Sequence, residues 1–64
     1  MNKARKAELA ERLRRVLWEC PTYGQLEAAA GVTDREAFWR GKTEEQARAA
    51  LREMIARKLE REAR

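Results

Sequence analysis

Three threonines, each followed three residues later by a glutamine or a glutamate, divide this 64-residue chain into short helices. In such a pair the threonine hydroxyl accepts a hydrogen bond from the third backbone N–H of the helix, and the longer side chain accepts one from the threonine's own N–H. The pairs are Thr22–Gln25, Thr33–Glu36 and Thr43–Gln46. Each pair predicts a helix that begins directly after its threonine.

Proline and glycine mark the ends of the preceding helices. Pro21 has no backbone N–H and disfavours helical geometry in the residue before it, so the first helix is expected to end near Glu19. Gly31 and Gly41 stand where a left-handed residue would close a helix. Together these residues predict helices over residues 3–19, 23–30, 34–40 and 44–62.

Apolar residues recur at helical spacing along the first and last of these helices, so each has one apolar side. With the apolar residues of the two central helices they are expected to form one core. The expected core residues are Leu9, Leu13, Val16, Leu17, Leu26, Val32, Phe38, Leu51, Met54 and Ile55. No strand pattern is present, and residues 1–64 are expected to form a single, compact, all-α domain of four helices.

The composition excludes most kinds of catalytic or metal site. Cys20 is the only cysteine and no histidine is present, so neither an internal disulfide, a structural zinc site nor a Cys–His nucleophile can be assembled. The absence of histidine also removes the commonest general base. We therefore expect a protein that is not an enzyme and that uses no cofactor and no metal.

The chain has no segment typical of a membrane span or of a secretory signal. No apolar run approaches the roughly 18 residues that a membrane span needs. The basic N-terminus is followed by further charged residues instead of the apolar core of a signal peptide. A single reduced thiol suits the cytosol. These features predict a cytoplasmic protein with no membrane partner.

The centre of the chain has the order of residues of two short helices joined by a tight turn. The residues that form this pattern are Leu26, Ala30, Gly31, Val32 and Thr33. They resemble the helix-turn-helix family of DNA-binding domains, in which an apolar residue anchors the first helix, glycine permits the turn and the next apolar residue enters the core. The resemblance covers residues 22–41 and adds a helix-turn-helix-like centre to the expected fold.

This resemblance implies that residues 33–42 form a recognition helix for a DNA groove. The candidate DNA contacts in this segment are Thr33, Asp34, Arg35, Trp39, Arg40 and Lys42. Three positions depart from the family's pattern: Ala37 stands six residues after Gly31, where the family has valine or isoleucine, Arg40 stands at a further apolar position, and Glu27 is the third. Glu27 stands four residues before Gly31, where the family has a small residue because the two helices cross closely there.

The charges of the chain are unevenly distributed. Residues 1–18 carry a net charge of +4, residues 19–46 of −3 and residues 47–64 of +3. Phosphate binding depends on lysine and arginine side chains, which release counterions from DNA. Lys3, Arg5 and Lys6 in the basic N-terminus are therefore the expected phosphate contacts.

Two classes of function remain open at this point, together with a third possibility, a scaffold that folds but has no partner. The leading prediction is a small protein that binds double-stranded DNA, either a phage or bacterial transcription regulator or a designed DNA binder, with a homodimer as its possible state. The alternative is a protein-interaction module, natural or a designed helical mini-protein, that presents Trp39 with Arg35 and Arg40, or a face of the last helix, to a partner protein. Trp18 is expected either to meet the second helix or to be exposed.

Overall fold

The computed structural model describes residues 3–63. Over this range the chain forms four helices and no strand: α1 (Lys3–Glu19), α2 (Tyr23–Ala30), α3 (Arg35–Trp39) and α4 (Glu44–Glu62). The prediction of an all-α domain with four helices is confirmed. The predicted bounds agree with the structure for α1, α2 and α4, whereas α3 begins one residue later and ends one residue earlier than predicted.

Two of the three predicted capping boxes are present. At the start of α2 the Gln25 N–H donates to the Thr22 hydroxyl at 3.2 Å, and the Thr22 N–H donates to Gln25 Oε1 at 3.3 Å. The corresponding distances for Thr43 and Gln46 at the start of α4 are 3.2 and 2.9 Å. These local bonds satisfy N–H groups that each helix start leaves unpaired, and thereby fix where α2 and α4 begin.

Gly31 ends α2 in the left-handed conformation predicted for it, with φ of 84°. Its N–H donates to the Ala28 carbonyl at 3.2 Å, and the Val32 N–H donates to the Glu27 carbonyl at 2.9 Å. A side chain at this φ would be strained, so the sharp turn out of α2 depends on glycine.

The cap of α3 is Asp34, and the prediction that Thr33 forms a capping box with Glu36 is wrong. The Asp34 carboxylate accepts a hydrogen bond from the Ala37 N–H at 3.1 Å. A carboxylate is as good a cap as a hydroxyl, and its negative charge is also favourable at a helix start. The recognition helix expected over residues 33–42 is consequently a five-residue helix, Arg35–Trp39.

Helix α4 is the centre of the fold, because α1 and α2 both pack against it. Its buried side chains are Ala47, Leu51, Ile55 and Leu59, and Leu26 of α2 completes the buried core.

The predicted core residues are buried at the centre of the core and half-buried at its edge. Leu26, Leu51 and Ile55 are buried as predicted. Six other predicted core residues are half-buried and pack against this cluster: Leu9, Leu13, Val16, Leu17, Val32 and Phe38. Met54 is half-buried as well, and lines a surface cavity together with arginines of α4.

Helix α1 is the least buried of the long helices. None of its described residues, Lys3–Glu19, is buried. Trp18 has 87 % of its surface exposed, so the exposed position that we considered for it is confirmed. Helix α1 therefore rests against α4 along one side and has no layer of protein above it.

We expect Asp34→Ala to lower the free energy of unfolding by about 1 kcal/mol, because the Ala37 N–H loses its capping acceptor. Thr33→Ala is the matched control, since Thr33 is exposed next to the cap, and should change the stability by less than about 0.5 kcal/mol. Urea denaturation measures both values. A larger loss for Thr33→Ala than for Asp34→Ala would contradict the assignment of the cap.

Candidate functional site

Glu27 of α2 is a charged residue buried where α2 meets α3. Only 5 % of its surface is exposed. Its Oε1 lies 3.0 Å from Arg35 Nε and accepts a hydrogen bond from Trp39 Nε1 at 3.4 Å. A buried carboxylate requires such partners, because burial removes its hydration. Since Arg35 and Trp39 are the first and last residues of α3, one carboxylate holds both ends of that helix.

Side chains, more than backbone packing, attach α3 to the fold. Its backbone does not approach any other helix as closely as α1 and α2 approach α4. The family pattern noted above has a small residue at the place of Glu27, which would let the two helices cross closely. Here the carboxylate lies between the helices instead, so the departure of Glu27 from the pattern has a structural role.

Trp39 connects α3 to α2 through an aromatic contact, and Tyr23 extends this connection to α4. Its ring meets that of Tyr23 edge-on at 5.2 Å and that of Phe38 edge-on at 6.2 Å. The Tyr23 hydroxyl donates to Glu44 Oε1 at 2.8 Å and accepts from Arg48 Nη2 at 3.1 Å. Trp39 is half-buried within this cluster, so much of its surface serves to attach α3.

The candidate DNA contacts of residues 33–42 are exposed except for Trp39, and several are engaged within the chain. Arg35 is bound to Glu27, although its side chain stays 68 % exposed. Asp34 is the helix cap. The Lys42 ammonium donates to the Phe38 carbonyl and lies 4.7 Å from the centre of the Phe38 ring.

The structure does not bring the two predicted groups of DNA contacts together. Helices α1 and α4 run antiparallel, since Ala63 lines the same surface cavity as Ala4 and Leu9. The N-terminal group of Lys3, Arg5 and Lys6 consequently lies near the end of α4, whereas α3 precedes its start. A helix of 19 residues separates the two groups, which corresponds to about 28 Å.

A groove follows the seam between α1 and α4. It consists of a larger section with a volume of about 690 Å³ and a smaller section with a volume of about 430 Å³. Both sections are lined by Leu13 and Ala56, so they form a single groove. The other lining residues are Lys6, Leu9, Ala10 and Leu17 of α1, Cys20 and Pro21 directly after it, Leu26 of α2, and Glu45, Arg48, Ala49, Arg52, Glu53 and Glu60 of α4. We call this surface, with Arg14 and Trp18 at its outer edge, the α1–α4 face.

Trp18 lies at the rim of the α1–α4 face. Successive residues of a helix are about 100° apart, so Trp18 follows Leu17 on the side of α1 that is turned away from α4. Arg14 lies one turn before it on the same side. The face thus has an apolar floor with small residues and an exposed tryptophan at its edge.

Sequence reasoning did not find this face, because the half-buried leucines of α1 were assigned to a complete core. The signal was present in two features. Trp18 lies well off the apolar side of α1, and the outer side of α4 carries alanines at helical spacing, Ala49 and Ala56, between its charged residues.

No known protein family, no characterised protein and no solved structure matches this chain. No helix within residues 3–63 combines the length and the apolar character that crossing a membrane requires. The same residues contain no group of three or more side chains placed to hold a metal ion.

We expect Glu27→Ala to loosen α3 while α1, α2 and α4 remain folded. Arg35 and Trp39 both lose their acceptor, at a cost of about 1–3 kcal/mol. In a Trp18→Phe background Trp39 is the only tryptophan. Its emission should shift to longer wavelength, and amide exchange in α3 should become faster.

Glu36→Ala is the matched control for this change, because Glu36 is an exposed glutamate of α3. It should leave both the emission of Trp39 and the amide exchange nearly unchanged. Identical behaviour of the Glu27→Ala and Glu36→Ala proteins would show that Glu27 does not hold α3.

Proposed function

We propose that this protein is a protein-interaction module whose binding surface is the α1–α4 face. The observation that carries the proposal is the incomplete burial of α1, none of whose described residues is buried. An amphipathic helix whose apolar side is half covered gains free energy when a further apolar surface covers the rest. Large exposed apolar patches mark interaction sites.

Trp18 supports the same proposal. A tryptophan with 87 % of its surface exposed contributes little to the stability of the isolated chain. Tryptophan and arginine are the residues most enriched at the energetic centres of protein interfaces. Trp18 and Arg14 lie together at the edge of the groove, where a partner in the groove would bury both.

The shape of the groove favours a helix as the group that binds there. Two antiparallel helices leave a furrow into which the side-chain ridges of a third helix fit. Ala10, Ala49 and Ala56 have small side chains, so the axis of a helix in this furrow can come close to the axes of α1 and α4. Binding of an amphipathic helix in an apolar groove is a recurring mode of recognition.

Site-specific photo-crosslinking tests the proposal. A photoreactive phenylalanine analogue at position 18 should form an adduct with a protein in the producing cells, whereas the same analogue at position 12 should not. Arg12 is an exposed residue on the other side of α1. The captured protein, once purified, should bind the wild-type chain and lose at least about 10-fold in affinity with Trp18→Ala, a change at an exposed residue outside the core. No adduct at position 18 beyond that at position 12 would contradict the proposal.

DNA binding is the second candidate function, and one observation favours it. Arg40 and Lys42 lie exposed directly after α3, and Arg35 lies exposed at its start, so one end of the molecule carries three cations beside the turn at Gly31. A duplex at this end would be contacted by α3 and its flanks.

The separation of the two basic groups makes the DNA candidate sharply testable. Arg35→Ala should weaken binding to a preferred duplex by about 1–3 kcal/mol. Neutralising Lys3, Arg5 and Lys6 should weaken binding only for duplexes longer than about 8 bp, because about 28 Å separates these residues from α3. Fluorescence anisotropy with short and long duplexes measures both effects. No binding to a random duplex pool at about 50 mM salt would exclude this function.

A further inference from the structure

This chain has more accessible surface than a compact domain of its mass exposes. The accessible surface is 5180 Å². A compact protein of 7.5 kDa exposes about 4200 Å² by the usual scaling with mass. The excess of roughly 900 Å² is close to the roughly 800 Å² that each partner buries in an interface of standard size.

The dimensions of the chain agree with its surface area. The radius of gyration is 12.4 Å, with extents of 37 × 20 × 18 Å. A compact domain of this length has a radius of gyration of about 11 Å. The long axis follows α1 and α4, so one further layer of helices on the α1–α4 face would make the particle more nearly isometric.

The outer edges of the α1–α4 face carry charges of opposite sign. Lys6 of α1 lines the groove and Arg14 lies at its edge, whereas α4 contributes the anions Glu45, Glu53 and Glu60 together with the cations Arg48 and Arg52. The two α4 arginines in the groove, Arg48 and Arg52, lie on the side of α4 turned toward α1. A face that is positive along one outer edge and negative along the other is complementary to itself after a two-fold rotation.

We infer that the partner at the α1–α4 face is a second copy of this chain, an inference that rests on the proposed function. A two-fold axis parallel to the long helices places α1 of each copy on α4 of the other, in antiparallel orientation. This rotation leaves every residue at its own height along the axis. Residues that line the same stretch of the groove in one chain therefore meet across the interface.

The pairs that this arrangement brings together have opposite charges. Lys6 and Glu60 line the smaller section of the groove, so Lys6 of one copy faces Glu60 of the other. Arg14 follows Leu13, which shares the larger section with Glu53, so Arg14 faces Glu53. The alternative axis, perpendicular to the helices, stacks α1 on α1 and opposes cations to cations.

Sedimentation equilibrium of the purified chain up to about 0.5 mM tests the inference. We expect a reversible dimer. Ala49→Arg places a long side chain in the middle of the face and should raise the dissociation constant at least about 10-fold. Ala28→Arg is the matched control, because Ala28 is an exposed helical alanine of α2 outside the face, and should dimerise like the wild type.

Charge reversal tests the orientation of the two copies. Arg14→Glu and Glu53→Arg should each weaken self-association about 10-fold, because each creates two like-charge pairs across the interface. Glu53→Arg also removes the exposed ion pair of Glu53 with Arg57 at 2.7 Å, a pair of a kind that contributes little to stability. An equimolar mixture of the two variants should restore the dimer, since every pair in the mixed dimer again joins opposite charges. Arg14 and Glu53 are exposed, so neither change affects the core.

The outcomes separate this inference from the proposed function. A wild-type chain that stays monomeric at the highest concentration overturns the second copy as the partner. If position 18 still crosslinks to a different protein, the proposed interaction function stands. A dimer that is insensitive to Ala49→Arg, or single charge reversals without effect, would likewise overturn the inference, because the copies would then meet at another surface.

Discussion

The structure depends on one constraint: the single apolar side of α4 has to pack against two other helices. Helix α4 supplies four of the five apolar residues in the buried core, and both α1 and α2 pack on it. A chain of 64 residues buries only a modest fraction of its apolar surface. Helices α1 and α2 share the buried side of α4, and the residues of α1 remain at most half-buried. The α1–α4 face is the direct result of that division.

The two tryptophans differ in their burial, and therefore in what each can contribute to binding. Trp39 was a candidate for contact with a partner, yet it is half-buried and held by Glu27 and Tyr23. Trp18, in contrast, is almost fully exposed on the outer side of α1. For a protein-binding function the useful aromatic residue is therefore the one in α1, and the Trp39 cluster serves to fix α3.

The helix bounds and the all-α class could be predicted because local chemistry determines them. The hydroxyls of Thr22 and Thr43, together with the backbone freedom of Gly31, act within four residues along the chain. The cap of α3 was misassigned because Thr33 and Asp34 are adjacent and both are suitable caps. The burial of Glu27 and the incomplete burial of the α1 leucines could not be predicted, since both depend on which helices meet. The charges of α1 and α4 can be counted from the sequence, but which of them lie at the same height along the groove depends on the antiparallel arrangement of the two helices.

The antiparallel contact of α1 with α4 also has a consequence for the order in which the chain folds. Helices α2, α3 and α4 follow one another closely, so their contacts close short loops. Docking of α1 brings the two ends of the chain together and closes a loop that includes nearly every residue, which carries the largest entropic cost of any contact in the fold. We therefore expect α1 to detach from α4 more readily than α2 does, which would expose part of the apolar side of α4 to solvent without global unfolding.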